Sequence, residues 1–242
     1  MRDSLRHFAA EFIGVFALVF IGGAANMMLR GPGSLITTAV AHGFILAAMI
    51  TATMRVSGHL NPAVTLGFVV TRRIQPTMAA VYLVAQLIGA MAAAYALKAV
   101  VPENLFAATR GGGHMIALDV TTGQAFLIEM LGTFFLVFAY FGTAVDPKAP
   151  RIGGLGIGLA LTAIVAALAP LTGAAVNPAR ALGPAVASAI FEGQAIYWLA
   201  PLVGGVLAAV LYDQLFLPRP SEMPGSGAVQ PTAGTAERIH PV

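Results

Sequence analysis

The sequence predicts an all-α membrane protein with six transmembrane helices and two re-entrant half-helices in an inverted repeat. Three observations predict it. The first is composition: of 242 residues, 58% are apolar and only 10% charged, where a soluble domain carries roughly a quarter charged residues. The second is length. Apolar runs long enough to cross a hydrocarbon core of ~30 Å are interrupted by two short ones, each opened by Asn-Pro-Ala. The third is recurrence. Ala10-Glu11-Phe12-Ile13-Gly14-Val15-Phe16-Ala17-Leu18-Val19-Phe20 returns as Ile128-Glu129-Met130-Leu131-Gly132-Thr133-Phe134-Phe135-Leu136-Val137-Phe138, an offset of 118, and Asn61 returns as Asn177, an offset of 116.

The spans fall at about 8–29, 35–54, 77–99, 122–145, 153–170 and 194–217. The first begins behind basic residues, as a signal peptide does, but its apolar run is too long for one and carries Glu11. Gly31-Pro32-Gly33 turns the chain into the second span. Gln75-Pro76 suits the start of the third, Thr121 or Thr122 can cap the fourth, and Asp146-Pro147 closes it. Small residues such as Gly154 and Gly158 repeat at a spacing that lets helix backbones approach in lipid.

The half-helices run over about 62–71 and 178–190. Asn is a strong N-cap and Pro is favoured at the first helical position, so Asn61-Pro62-Ala63 and Asn177-Pro178-Ala179 each read as a helix start. Each half-helix reaches only ~15–20 Å, about half of a bilayer core. Repeat 1 covers about 8–99 and repeat 2 about 122–217. Three spans is an odd number, so the second copy enters the membrane upside down, and such repeats hold their shared site near the midplane. Residues 1–217 form the membrane-embedded domain. Residues 218–242, rich in Pro, Gly, Ser and Thr, read as a disordered tail.

Charge sets the orientation. With the N-terminus inside, Arg2, Arg6, Arg55, Arg72, Arg73, Lys148, Arg151, Arg219 and Arg238 are cytoplasmic, while Arg30, Lys98, Arg110 and Arg180 are not. The chain is then an integral, multi-pass protein with both termini cytoplasmic, in a plasma or inner membrane. A net charge of +3 points to no nucleic acid, and the absence of cysteine excludes disulfides and thiolate metal sites. No constellation suggests an enzyme, a metal or a cofactor: the acids are unpaired and there is no metal spacing.

The paired Asn-Pro-Ala tripeptides, with Glu11 and Glu129, resemble the aquaporin (major intrinsic protein) family from residue 8 to about 217. Most of the likeness lies in Gly58-His59-Leu60-Asn61-Pro62-Ala63-Val64-Thr65-Leu66-Gly67 and Asn177-Pro178-Ala179-Arg180-Ala181-Leu182-Gly183-Pro184-Ala185-Val186. The resemblance implies a homotetramer with one pore per protomer. It also implies that Asn61 and Asn177 donate to a passing water at the midplane, with roughly +0.5 charge behind each from the half-helix dipoles. Arg180 becomes the cationic wall of an outer constriction. His42, Val165 and Ala174 complete that ring, a set most like plant tonoplast-type channels. The loop Ser57-Gly58-His59 is one residue shorter than the family's usual form. A gap placed elsewhere would put Ala41 in the ring, but the triplet Ala41-His42-Gly43 itself fits the tonoplast pattern and favours His42. His59 falls in the inner vestibule.

Glu11 and Glu129 admit two readings, proton carriers of a coupled transporter or acceptors for loop N–H groups that have no other partner in lipid. Their symmetric placement favours the second. The expected function is passive passage of water and small neutral solutes such as ammonia, urea or hydrogen peroxide, with protons and ions excluded. The alternative is a glycerol facilitator, followed by a proton-coupled transporter and a non-conducting junctional protein. Glycerol facilitators carry Asp after the second Asn-Pro-Ala-Arg and a basic residue four further on, where this chain has Ala181 and Ala185. Tyr197-Trp198 matches the water branch.

Overall fold

The computed structural model describes residues 2–28, 31, 33–150 and 152–218. The expected tail beyond Pro218, the end of the first expected span at Leu29, the turn residue Pro32, and Arg30, Arg151, Arg219 and Arg238 lie outside the described residues.

The described residues form nine α-helices. In chain order they are α1 (Arg2–Met28), α2 (Ser34–Thr53), α3 (Pro62–Val70), α4 (Pro76–Val100), α5 (Glu103–Ala108), α6 (Thr122–Tyr140), α7 (Leu155–Thr172), α8 (Pro178–Ser188) and α9 (Gln194–Leu215). A π-helical turn over Phe141–Val145 extends α6. Six of these helices are long and apolar enough to cross a membrane. The described residues contain no β-strand.

The expected starts hold where a local signal exists. Pro76 opens α4. Thr121 caps α6 in a reciprocal box with Gln124, whose side chain takes the Thr121 N–H at 2.8 Å. Two elements differ from expectation. Helix α1 begins at Arg2, six residues before the apolar run, because the polar first turns project beyond the part that needs lipid. The segment 101–121, for which the spans at 77–99 and 122–145 leave no expected element, is folded. It folds into α5 and a tight turn, fastened from outside: Asn26 donates to Gly112 O at 3.2 Å, Ala117 N–H to Leu171 O at 2.9 Å, and Arg110 pairs with Glu192 at 2.7 Å.

The two halves pack alike. Helix α1 lies against α4 as α6 lies against α9, and each half-helix crosses into the other half's neighbourhood, α3 on α9 and α8 on α4. Helices α2 and α7 join the halves. Gly43 and Gly158 face one another where they cross, an offset of 115, and a Cβ on either would overlap the carbonyl oxygen of the other. These glycines therefore set the closeness of the halves. The main apolar cluster, with Leu18, Leu46, Leu136 and Leu161, surrounds the ends of α3 and α8.

Candidate functional site

The half-helices meet at their N-termini. Asn61 caps α3, its Oδ1 accepting from Ala63 N–H at 2.9 Å, and Asn177 caps α8 by accepting from Ala179 N–H at 3.0 Å and Arg180 N–H at 3.2 Å. The amide nitrogens then exchange partners across the junction. Asn61 Nδ2 donates to Val176 O and Asn177 Nδ2 donates to Leu60 O, both at 2.8 Å. Leu60 and Val176 stand at φ 52° and 43°, a left-handed conformation uncommon outside glycine. That turn of backbone delivers each carbonyl to the opposite Asn, so local strain is held by the exchange. Each amide keeps a second N–H that this exchange does not use.

The strained loops are held from behind by carboxylates. Ser57 Oγ donates to Glu11 Oε1, His59 N–H donates to the same oxygen at 2.8 Å, and Leu60 N–H and Gln86 Nε2 reach Oε2 at 2.7 Å each. In the other half, Thr172 Oγ1 and Ala175 N–H donate to Glu129 Oε1 at 2.6 and 3.0 Å, and Val176 N–H to Oε2 at 2.7 Å. Both acids are wholly buried. Among the described residues Gln86 is the one partner without a counterpart in the second half, and the repeat therefore gives no sign of its role.

Between the loops and the bundle runs a narrow space of about 10 Å³, about the room one water needs. Leu18, Leu46, Leu136 and Leu161 make its apolar wall, and Asn61, Val176, Asn177 and Arg180 the polar one. Arg180 is 5% exposed and its guanidinium is fixed on several sides. Nη1 donates to Ala174 O at 2.6 Å and Ala175 O at 3.1 Å, and Nη2 to His42 Nε2 at 2.8 Å. His42 Nδ1 lies 2.8 Å from Thr38 O. A carbonyl only accepts and a guanidinium only donates, so His42 carries its proton on Nδ1 and is neutral.

Of the two ring candidates, His42 is the one that meets Arg180. Ala174 contributes its carbonyl to Arg180, and Val165 on α7 is buried in the same apolar cluster as Ala174. On the other side of the junction the His59 ring packs 4.1 Å from Phe68 and 4.9 Å from Tyr82, its Nδ1 is 3.2 Å from Thr65 Oγ1, and its carbonyl accepts from Tyr140 Oη at 2.9 Å.

His114, which the sequence does not single out, joins this neighbourhood from the segment after α5. It is 9% exposed, packs 5.5 Å from the Tyr197 ring, and neither ring nitrogen has a protein partner among the described residues. Burial, then the charge of Arg180, holds its pKa well below the usual imidazole range. The only local signal is a lone His after three glycines. Among the described residues no group of three or more His, Asp or Glu is placed to hold a metal.

The comparisons with known proteins agree with this geometry. The Major intrinsic protein family model matches residues 1–212. The chain belongs to the major intrinsic protein family. Among relatives of this major intrinsic protein, "Probable aquaporin TIP3-2" of Arabidopsis thaliana is 38% identical, covering 96% of this chain and 91% of the relative. "Aquaporin TIP2-1" of the same plant is 37% identical, covering 93% of each. An aquaglyceroporin structure from Plasmodium falciparum superposes with a TM-score of 0.78 over 88% of this chain and 96% of that one; at 24% identity it speaks for the fold.

Proposed function

We propose that the chain is a passive channel for water that also passes small neutral solutes such as ammonia, urea or hydrogen peroxide, and excludes protons and ions. The observation that carries this reading is the exchange of Asn61 and Asn177 across the junction. Two helix N-termini, each with roughly half a positive charge, face one narrow space, and each Asn keeps a free N–H beside it. A water accepting from both turns its hydrogens outward, so a chain of waters cannot pass a proton through that point, and a cation meets positive potential from both sides.

Arg180, His42, Val165 and Ala174 form the outer filter in this reading. Three guanidinium N–H groups are engaged by Ala174 O, Ala175 O and His42, which leaves two of its five donors for a permeant. Val165 and Ala174 give no aromatic wedge for a carbon backbone, which favours water and compact solutes over glycerol. Glu11 and Glu129 serve as loop anchors, since every bond to them holds a half-helix loop or its neighbours, and this disfavours a proton-coupled transporter. The family's homotetramer and a cytoplasmic position for both termini belong to the same proposal. The TIP-type relatives lend no support to the plasma or inner membrane expected from the sequence.

Stopped-flow measurements on proteoliposomes test it. Fast osmotic shrinkage with slow glycerol entry is the expected result; glycerol entry as fast as that of urea would favour the facilitator, and uptake driven by a pH gradient would favour the transporter. Arg180→Val is expected to admit larger solutes or cations, and His42→Phe to narrow the channel toward water alone. Urea and ammonia fluxes that survive His42→Phe intact would remove His42 from the ring.

A further inference from the structure

Gly22 stands behind the His42 ring. A Cβ built there would overlap His42 Cδ2 and Nε2 and come within 3.0 Å of Cε1. The ring has little freedom to yield. It is 2% exposed, and its nitrogens are held by Thr38 O and by Arg180, each at 2.8 Å. The overlap thus falls on a side chain fixed at both ends, and through it on the guanidinium.

The repeat gives this place a second meaning. The offset of 118 that carries Glu11 to Glu129 carries Leu18 to Leu136, and both leucines line the central space. One turn further along the same helix face, it carries Gly22 to Tyr140. Tyr140 also lines that space, is 2% exposed, and donates to His59 O at 2.9 Å. In one half the position is filled by a large side chain that braces a half-helix loop. In the other it is empty of side chain, and the ring of His42 occupies the room.

We propose that Gly22 is a positioning residue of the outer filter: by carrying no side chain it provides the slot that keeps the His42 ring out of the lumen and against Arg180. The proposal rests on the reading of His42 and Arg180 as the filter. Any side chain at position 22 turns the ring out of its slot. Both of its hydrogen bonds are then lost, the displaced ring enters the lumen, and Arg180 is freed on that side. A tenfold loss of flux corresponds to about 1.4 kcal/mol on the permeation barrier.

The test compares Gly22→Ala, His42→Ala and the double variant in proteoliposomes, reading water permeability and the urea-to-water permeability ratio per reconstituted protein. Gly22→Ala is expected to lower water permeability roughly tenfold and urea permeability by more. Adding Gly22→Ala to the His42→Ala background is expected to change neither quantity, because the ring that the new methyl group would strike is gone. Gly23→Ala, whose Cβ would meet Leu97 Cδ1 at 2.8 Å instead, is expected to keep the wild-type ratio. Wild-type permeabilities in Gly22→Ala overturn the proposal, as does an equal loss in both backgrounds, which would make position 22 a helix-packing site. If Gly22→Ala fails to fold, as judged by gel filtration in detergent, the double variant decides: behaviour like His42→Ala supports the slot, and failure there too overturns it. A wild-type ratio in His42→Ala would instead bring down the filter reading itself, and the slot with it.

Discussion

Single buried acids do the least replaceable work in this chain. Glu129 receives two backbone N–H groups from the strained loop before α8, and those groups have no other acceptor at that depth among the described residues. Leaving a buried donor unpaired costs ~1–3 kcal/mol, so Glu129→Ala is expected to cost on the order of 3 kcal/mol or more, read as a lower thermal midpoint in detergent. Glu129→Gln, which keeps one acceptor oxygen, is expected to lose less; equal losses would mean that the loop does not lean on this group. His114 carries the pH dependence at this scale. Its pKa is held below the ordinary imidazole range in the folded protein, by burial first and by the Arg180 charge next. As pH falls through the ordinary value of ~6.5, the unfolded chain gains a proton there that the folded chain does not, so stability falls with pH and levels off below the folded value. The thermal midpoint is expected to be lower at pH 5 than at pH 7.5, and the difference to shrink in His114→Gln. An unchanged difference would clear His114 of that role.

At the scale of elements, the crossing of α2 and α7 brings two backbones together at Gly43 and Gly158, with the small side chains of Ala47 and Thr162 beside them. A side chain on Gly43 or Gly158 must push those backbones apart, and overpacking of that kind costs ~1–3 kcal/mol or more. Gly158→Leu is therefore expected to prevent assembly or lower the thermal midpoint sharply. Gly123→Ala, which meets nothing within 4 Å, is expected to be neutral; parity of the two would show that the crossing tolerates separation. The elements also show what a sequence can and cannot announce. Six spans and two half-helices are legible because length, apolar runs and Asn-Pro caps are local signals, and the structure starts α3, α4 and α8 at the expected prolines. The meeting of Arg180 with His42 is reachable through family likeness, although nothing in the residues near either one points to the other. Helix α5 and the seating of His114 are not legible. Their shape is set by partners far along the chain, Asn26, Leu171 and Glu192, and a segment fixed by remote bonds carries no period of its own.

The whole molecule has two ends, and its ion pairs and loop contacts sort the connections between them. Arg73 with Asp213 at 2.7 Å and Tyr212 with Asp146 at 3.1 Å gather the turns after α3 and α6 around the end of α9. Arg110 with Glu192, Asn26 with Gly112 and Ala117 with Leu171 gather the end of α1, the segment after α5 and the turn after α8 at the other. The first end holds Arg2, Arg6, Arg55, Arg72, Arg73 and Lys148, the second Lys98 and Arg110, a basic excess that supports the proposed cytoplasmic position of the first end. The natural chain lacks cysteine, which gives a silent background for labelling. Arg72→Cys and Phe216→Cys, both at the first end, are expected to react with a membrane-impermeant maleimide only in opened cells. Leu118→Cys and Phe191→Cys, exposed at the other, are expected to react in intact ones. Labelling of Leu118→Cys and Arg72→Cys from the same side would break the odd number of spans per half. Without that odd number the second half is not inverted, and the two Asn-Pro-Ala ends have no reason to meet at mid-membrane.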